Sequence, residues 1–434
     1  MKQSRINYFR GMKRIWISGL IVLFALLQSS AFAQTSIKVL SYNILNYPQG
    51  EIPNREDTLA LILDYVQPDL FLIQELKSEE GYNTIYNSCF SDLQDPFAQV
   101  TYVPQNSNPG SSWPLQQSLI YNERLFGLAE EGIRTSPIRD MNRYKLYLKD
   151  EAHLLGDTTF LYVFVAHLKS SQGSENEQLR LEMMEAFTAY FNTLPADALA
   201  IFGGDFNLYS SDEPAYQLLL SPNNLLQWQD PINAPGVWSN GNYPFKQILT
   251  QSTRSSSIFG DGAGGGMDDR FDFIMATDAL MNSISPIHYT PNSYLALGNN
   301  GSCYNQNITD CDEDNEVPMY ILNALYHMSD HLPVVMELQS DLALNSSDIT
   351  QKKENKIIGS TLQYGEARFN LVCEKSAFVK FAVIDASGRF VYENEQLVNA
   401  PRSSIRLPEM NPGVYHLRVK LNEGNVITKT FIIQ

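Results

Sequence analysis

Asp330-His331-Leu332-Pro333 stands after Ser329 and before the apolar run Val334 to Met336, so a carboxylate and an imidazole meet at the start of a strand. A carboxylate binds a hard cation and an imidazole moves protons near neutral pH, so one corner offers both functions. Alone, an Asp-His pair in a turn is usually a solvated loop. Here, however, other stretches share the same build. Ser41-Tyr42-Asn43, Gln74-Glu75-Leu76, Ala166-His167-Leu168-Lys169, Gly203-Gly204-Asp205-Phe206-Asn207 and Arg270-Phe271-Asp272-Phe273-Ile274 each set polar side chains at or near the end of a hydrophobic, strand-like run. Carboxylates, amides and imidazoles gathered in this way suit hydrolysis of a phosphate ester assisted by a divalent metal.

Strands and helices alternate along the part of the chain that carries these residues. Ile37 to Ile44 reads as a strand, Asn54 is placed to cap a helix running to about Tyr65, and Leu70 to Gln74 is a short buried strand. Phe160 to Ala166 is nearly continuous apolar sequence. Ser174 and Glu177 have the spacing of a capping box before a helix whose Leu179, Met183, Phe187, Tyr190 and Leu194 share a face, and Leu199 to Phe202 enters the Asp205 turn as a strand. After Leu338 the segment Leu344 to Lys356 is polar and aperiodic, as a linker is. Beyond it, Arg368 to Val372, Val379 to Ile384, Ser404 to Leu407, Val414 to Val419 and Val426 to Ile432 alternate between turn signals, which predicts a small all-β sandwich. His416 reads as a strand residue there. A chain of 434 residues exceeds one ordinary core. The expected division is a leader at 1–33, a catalytic domain at 34–340, a linker at 341–357 and a β-sandwich at 358–434.

The leader is read from Lys2, Arg5, Arg10, Lys13 and Arg14, the apolar stretch Ile15 to Leu27, and Ala31-Phe32-Ala33 before Gln34. That pattern is a secretory signal peptide, and its apolar part is shorter than the roughly 20 residues a membrane span needs. No later segment is long and apolar enough to span, so no integral membrane segment is expected after cleavage. Losing five basic and no acidic residues takes the formal charge from −17 to −22. This speaks against a passive polyelectrolyte sleeve for nucleic acid, while a metal site touching a few phosphates remains compatible with it. Among the four cysteines, Cys303 and Cys311 close a short polar loop and are expected to form a disulfide in an exported chain. Asp310, Asp312 and Asp314 alternate like a calcium loop, but Asn315 and Ile321 stand where an EF-hand has Gly and Glu, so an acidic turn is expected.

On these motifs, which occur in family order, the chain from roughly Ile37 to Leu338 resembles the endonuclease/exonuclease/phosphatase superfamily. That superfamily includes DNase I-like nucleases, abasic-site endonucleases, sphingomyelinases and inositol-phosphate phosphatases. The resemblance implies an α/β fold, the four-layer α/β sandwich (DNase I-like), with functional residues at one rim. It implies that Asn43 and Glu75 help hold a magnesium ion, replaceable by manganese, with Asp330 completing the shell. Asp272 would orient His331, Asp205 and His331 would activate water as a pair, Asn207 would donate to phosphoryl oxygens, and His167 would stabilise developing charge. Tyr121 and Arg139 lie where the family often contacts phosphate, with Arg143 competing for the second place, and Thr253, Arg254 and the run Gly260 to Gly266 are candidates for a mobile substrate loop.

The C-terminal region resembles the type IX secretion sorting domain, on Leu407-Pro408 through Met410, Pro412-Gly413-Val414-Tyr415 and the ending Lys429-Thr430-Phe431-Ile432. This implies interaction with the type IX secretion machinery and a secreted or cell-surface location reached through the periplasm. The functional expectation is a secreted, monomeric, magnesium-dependent phosphodiesterase, foremost an extracellular nuclease acting on DNA or RNA. A sphingomyelinase-like or phosphate-monoester hydrolase, including one for inositol phosphates, is the rival on the same scaffold. A surface adhesin built on an inactive scaffold is the alternative of another class. The insert from Glu79 to Trp113 is expected to bear on substrate choice.

Overall fold

The computed structural model describes residues 35–340 and 356–433, apart from 51, 91–92, 94, 112, 151–152, 154, 240–242, 258, 312–313, 364–365, 373–376, 399–401 and 421–425. The expected leader, most of the linker, Asp312 and Cys373 therefore lie outside the described residues.

In chain order the first domain contains β1 (Thr35–Tyr47), α1 (Arg55–Val66), β2 (Leu70–Leu76), α2 (Glu79–Cys89), β3 (Phe97–Gln99), β4 (Gln116–Asn122), β5 (Phe126–Arg134), β6 (Met141–Leu148) and β7 (Phe160–His167). There follow α3 (Ser174–Phe191), β8 (Ala200–Asp205), α4 (Pro214–Leu219), β9 (Trp228–Gln229), β10 (Asp272–Thr277), α5 (Asp278–Met281), β11 (Ile287–Tyr289), β12 (Leu295–Ala296), α6 (Met319–Met328) and β13 (Val334–Ser340). One mixed sheet runs β11-β13-β1-β2-β4-β3, with β12 on β13, and the other runs β5-β6-β7-β8-β10-β9.

Alternation along the strands sets the layers. Ile37 and Val39 of β1, Leu70 and Leu72 of β2, Val163 and Val165 of β7, Ile201 of β8 and Ile274 of β10 meet in one core between the two sheets. Their neighbours Leu40, Tyr42, Phe71 and Ile73 face α1, α2 and α6, while Phe164, Phe202 and Phe273 face α3 and α4. Helix, sheet, sheet, helix is the expected four-layer α/β sandwich. Gly203 lets the sheets approach, because a Cβ there would lie 2.7 Å from Leu72 Cδ2 of the opposite sheet.

Two helix starts differ in detail from expectation. Asn54 does occupy the cap of α1, but in the left-handed region at φ 55° and without a side-chain capping bond. The Ser174/Glu177 capping box does not form: Gly173 is the cap residue and Glu177 N donates to its carbonyl, which moves Ser174 inside the helix. The buried face of α3 is accordingly Arg180, Met183, Met184, Phe187 and Phe191, with Leu179 and Tyr190 only half-buried. Sequence periodicity favours Leu179 over a charged neighbour. Arg180 is buried because Glu213 receives its Nε at 2.7 Å and the Lys169 and Ser171 carbonyls receive its Nη1.

The tail is all-β, with a sheet of β14 (Lys356–Gln363), β15 (Glu366–Val372) and β18 (Arg402–Arg406). Its second sheet has β17 (Phe390–Val398), β16 (Ala377–Asp385), β19 (Gly413–Lys420) and β20 (Val426–Ile433) in that order. Ile357, Phe369, Leu371, Val383, Leu417, Val419 and Phe431 lie in its own core. Sequence alternation missed β14, which starts inside the expected linker, and β17. The second omission has a plain cause, since β17 pairs on one side only and most of its residues are exposed. His416 is a strand residue as expected, with Nδ1 2.9 Å from Thr430 Oγ1.

Candidate active site

The parallel pairs β1-β2 and β7-β8 finish at the same end of the sandwich, and β10, antiparallel to β8, begins there. In the second sheet His167, Asp205 and Asp272 are direct register partners across β7, β8 and β10. All three continue the alternation that points Val165, Ile201 and Ile274 between the sheets, so one row of a regular sheet places them together. In the first sheet Asn43 has the same parity as Ile37 and Val39, and its Nδ2 donates across the gap to Asp205 Oδ2 at 3.0 Å and to Glu75 Oε1 at 2.9 Å.

Glu75 has the wrong parity. Regular alternation would send it with Phe71 and Ile73 toward the helices. Instead the β2–β4 register shifts between Ile73 and Leu76, and Glu75 is held at φ 66°. A left-handed non-glycine residue costs on the order of 1–3 kcal/mol and persists where its surroundings fix it. Here the backbone N–H of Asn46, itself at φ 51°, donates to Glu75 Oε2 at 2.8 Å. The bulge thus turns a helix-facing carboxylate into the cleft.

The Asp330-His331 corner is tied to the same point. Ser329 Oγ donates to the Asn43 carbonyl at 2.7 Å and accepts the His331 N–H at 3.1 Å, while Thr253 Oγ1 donates to the Ser329 carbonyl. Arg55 joins the two corners by donating to the carbonyls of Ile44, Leu45, Gln49 and Met328. His331 Nδ1 lies 2.8 Å from Asp272 Oδ2, and its Nε2 is 3.7 Å from Asp205 Oδ2. His167 Nε2 is 3.4 Å from the same Asp205 oxygen, and its Nδ1 is 3.9 Å from Glu75 Oε1. Asp330 Oδ2 accepts from Ala263 N at 2.6 Å and from Gln251 Nε2 at 3.1 Å.

Burial drives the electrostatics. It raises the Glu75 carboxyl, with the Asp330 charge adding to it. It pushes Asp205 up to about 7, opposed by His331 and reinforced by Asp272 and Glu75. His167 is driven well below the ordinary histidine range by burial and then by Arg139, His331 and Lys169, so it is a neutral imidazole. Burial would lower His331 as well, yet Asp272, Asp205 and Asp330 together outweigh it and hold its proton well above the ordinary range. Burial and neighbouring charge thus move two imidazoles of one cleft in opposite directions.

Four carboxylates, Glu75, Asp205, Asp272 and Asp330, are buried here, and Asp330 Oδ1, Asp272 Oδ1 and His167 Nδ1 have no hydrogen-bond partner among the described residues. Buried, unpaired acceptors around excess negative charge fit a divalent cation. Glu75, His167 and Asp205 form one group able to hold an ion, and Asp205, Asp272 and His331 another. Asn43 differs from expectation. Its Oδ1 accepts the Leu45 N–H at 3.0 Å and its Nδ2 faces the carboxylates, so it bridges them as a donor instead of offering them an oxygen ligand.

Of the remaining candidates, Asn207 is in place. Its N–H donates to Asp205 Oδ1 at 3.0 Å at φ 50°, an Asx turn beside His167-Leu168. Tyr121 is not at the site. β4 runs antiparallel to β2, so Tyr121 pairs with Leu70 at the opposite rim and packs in the inter-sheet core; Gln116 is the residue that reaches the Glu75 end. Arg254 is buried beside Asp330, but its donors go to the carbonyls of Tyr326, Asp261 and His327, which makes it a brace of the corner and not a free phosphate ligand. The glycine-rich run is likewise anchored, through Ala263 N on Asp330 and Gly266 N on the Arg254 carbonyl. Cys303 and Cys311 are disulfide-bonded, and Asp310 accepts from Asn307 in a turn.

Arg139 and Arg143 separate. Arg139 donates to the Leu168 carbonyl at 2.7 Å and is lowered by burial against the pull of Glu75 and Asp205. Arg143 lies over the Tyr190 ring, 5.2 Å from its centroid, on the helix side of β6. Arg139→Ala is therefore expected to reduce kcat/KM roughly ten- to a hundred-fold, the scale of a hydrogen bond to a charged group of about 1.5–3 kcal/mol. Arg143→Ala should stay within about twofold, as surface changes usually do. Equal losses in parallel kinetics would remove Arg139 from the site.

Gln251, whose amide touches His331 Nε2 at 2.6 Å, and Asn46 were not among the expected site residues. Asn46 lay three residues beyond Asn43 and was open to suspicion. Gln251 sits in an irregular segment with no periodic signal, and only the fold brings it to the corner.

Residues 366–434 match the family model of the secretion system C-terminal sorting domain. The tail is a type IX sorting domain. It directs the chain to the cell surface or the medium. No helix among the described residues is long and apolar enough to cross a membrane. No curated protein sequence matches the chain. Similar solved structures include D. rerio TDP2 complexed with a single-strand DNA product, 16% identical over 70% of this chain and 99% of that one, at a TM-score of 0.45. The human nocturnin catalytic domain with bound sulfate is 17% identical over 70% and 94%, at 0.42. An endonuclease/exonuclease/phosphatase from Beutenbergia cavernae is 11% identical over 92% and 100%, at 0.42. At such distance the chemistry has to be judged from this chain's own side chains.

The sorting domain meets the first domain where the Arg368 guanidinium lies 4.5 Å from the Tyr320 ring centroid, at the end of α6 away from Asp330. It has its own core, and none of its described residues joins the cleft cluster, so a chain ending at Ser340 is expected to keep its catalytic activity. In a host with the cognate secretion system that chain should remain in the periplasm. Specific activity and the fraction exported check the two halves of this expectation; lost catalysis would show that the tail supports the enzyme, and unchanged export that it is not the address used.

Proposed function

We propose that this protein is a secreted, divalent-metal-dependent phosphodiesterase acting on nucleic acid. The observation that carries the proposal is the cluster in which Asn43 and Glu75 of one sheet meet His167, Asp205, Asp272 and His331 at the rim of the other, with buried polar atoms that have no partner among the described residues. Glu75 and Asp330 would hold magnesium, with Asn43 beside them. Bound there, the ion would supply Lewis-acid stabilisation of the phosphoryl oxygens.

The protein's own groups have divided tasks. Asp205, with its carboxyl near 7, accepts a proton from water as a general base matched to neutral solution. His331, kept protonated and oriented by Asp272, stabilises negative charge on the phosphorane-like transition state and shares the proton traffic with Asp205. His167 presents neutral imidazole, and Asn207 and Arg139 border the same space. Lys77, Arg139 and Lys169 supply positive charge around an acidic chain, which suits a backbone with successive phosphates. Assay of purified protein on plasmid DNA, RNA, sphingomyelin and inositol phosphates, with magnesium or chelator, tests the proposal. Nucleic acid cleaved only with metal is expected; turnover confined to the lipid or to inositol phosphates would overturn the substrate assignment.

A further inference from the structure

We infer that Trp113 is a stacking platform for a nucleobase flanking the scissile phosphate, and so a specificity-determining residue. This rests on the nuclease function proposed above and deepens it. Among the described tryptophans, Trp228 and Trp238 are buried, whereas Trp113 is 55% exposed. An indole left in water forgoes burial free energy, yet this one is fixed. Its Nε1–H donates to Asn46 Oδ1 at 3.1 Å, and the Lys77 ammonium lies 3.1 Å from the ring centroid.

Both partners lead directly to the metal-side carboxylate. Asn46 donates its backbone N–H to Glu75 Oε2, and Lys77 follows Glu75 by two residues and feels its charge. Lys77 lies over one face of the ring, and more than half of the residue's surface stays exposed. The ring, carried by the loop before β4, is therefore held between Asn46 of β1 and Lys77 just past β2, close to Glu75 in the chain. An ammonium next to an open aromatic face is the pairing that single-stranded nucleic acid meets in proteins: cations take phosphates and rings take bases, without sequence preference because every base has a π-face. A lipid chain would need an apolar trough, and the neighbours here are Lys77, Asn46 and Asp261, which accepts from Asn46 Nδ2 at 3.3 Å.

The test uses a short DNA strand with one cleavable phosphodiester, made with and without the bases that flank it. Wild-type protein is expected to have a KM about tenfold lower for the base-bearing strand, the scale of one stacked base. Trp113→Ala should bring the ratio between the two strands to about one, and Trp113→Phe should preserve most of it. A ratio unchanged in Trp113→Ala, or equal loss on both strands, would overturn the platform. Independently of turnover, the base-bearing strand in chelator should quench indole fluorescence of the wild type but not of Trp113→Phe, and absence of quenching also overturns it. Failure of the wild type to cleave nucleic acid with metal would remove the nuclease function instead, and quenching alone then decides the platform.

Discussion

Asp205→Ala and His331→Ala are each expected to lower turnover by on the order of 100-fold or more while leaving the fold intact. In the proposed mechanism these two side chains handle the proton; His331 Nε2 lies 3.7 Å from Asp205 Oδ2, and each shifts the protonation of the other. Removing His331 takes away the positive charge nearest Asp205 and Asp272. Removing Asp205 takes away the base and the acceptor that Asn43 Nδ2 spans. Because both act on the same proton, the double variant should lose little beyond the worse single one. Turnover of an oligonucleotide, read with circular dichroism of each variant, checks this. A folded His331→Ala protein with near-normal turnover would deny the histidine its role, and additive losses would separate the pair.

Chelation should stop hydrolysis, and magnesium or manganese should restore it, because the available donors are oxygen and imidazole and not thiolate. Glu75→Gln should recover part of its loss at higher magnesium, since a carboxamide still offers an oxygen but less charge. A second readout needs no substrate. The buried carboxylates repel one another without a cation, so saturating magnesium at about 100 times its Kd should stabilise the folded protein by about 2.7 kcal/mol and raise the Tm accordingly. Glu75→Gln should show a smaller rise at the same concentration. Undiminished turnover in excess chelator, or a Tm indifferent to magnesium, would sink the metal-assisted mechanism.

Much of the cleft was legible in the sequence because a regular strand carries its own geometry. His167, Asp205, Asp272 and Asn43 all obey the period-two alternation of the hydrophobic runs that precede or follow them, so motif and facing are one signal. The four-layer fold was implied by the family resemblance that these motifs carry, and the disulfide by the short loop between Cys303 and Cys311 in a chain with an export leader. Tyr121 shows the limit of that logic: being at a strand end does not say which rim, and the antiparallel pairing of β4 sent it to the wrong one. Arg180 shows another, since hydrophobic periodicity has no way to foresee a buried charge whose partner, Glu213, lies beyond the next strand.

By itself the sequence determined which residue types stand at strand ends, and hence the class of chemistry, because alternation and turn signals are local properties of the chain. Only the tertiary structure decided the rest. The bulge that swings Glu75 into the cleft depends on a hydrogen bond from Asn46 on the neighbouring strand. Gln251 meets His331, Arg139 feels the Glu75 and Asp205 charges while Arg143 lies over Tyr190, and Trp113 meets Asn46 and Lys77 through packing between distant segments. The opposite shifts of His167 and His331 likewise come from burial and from which charged groups lie within a few ångströms, quantities that no run of residues contains.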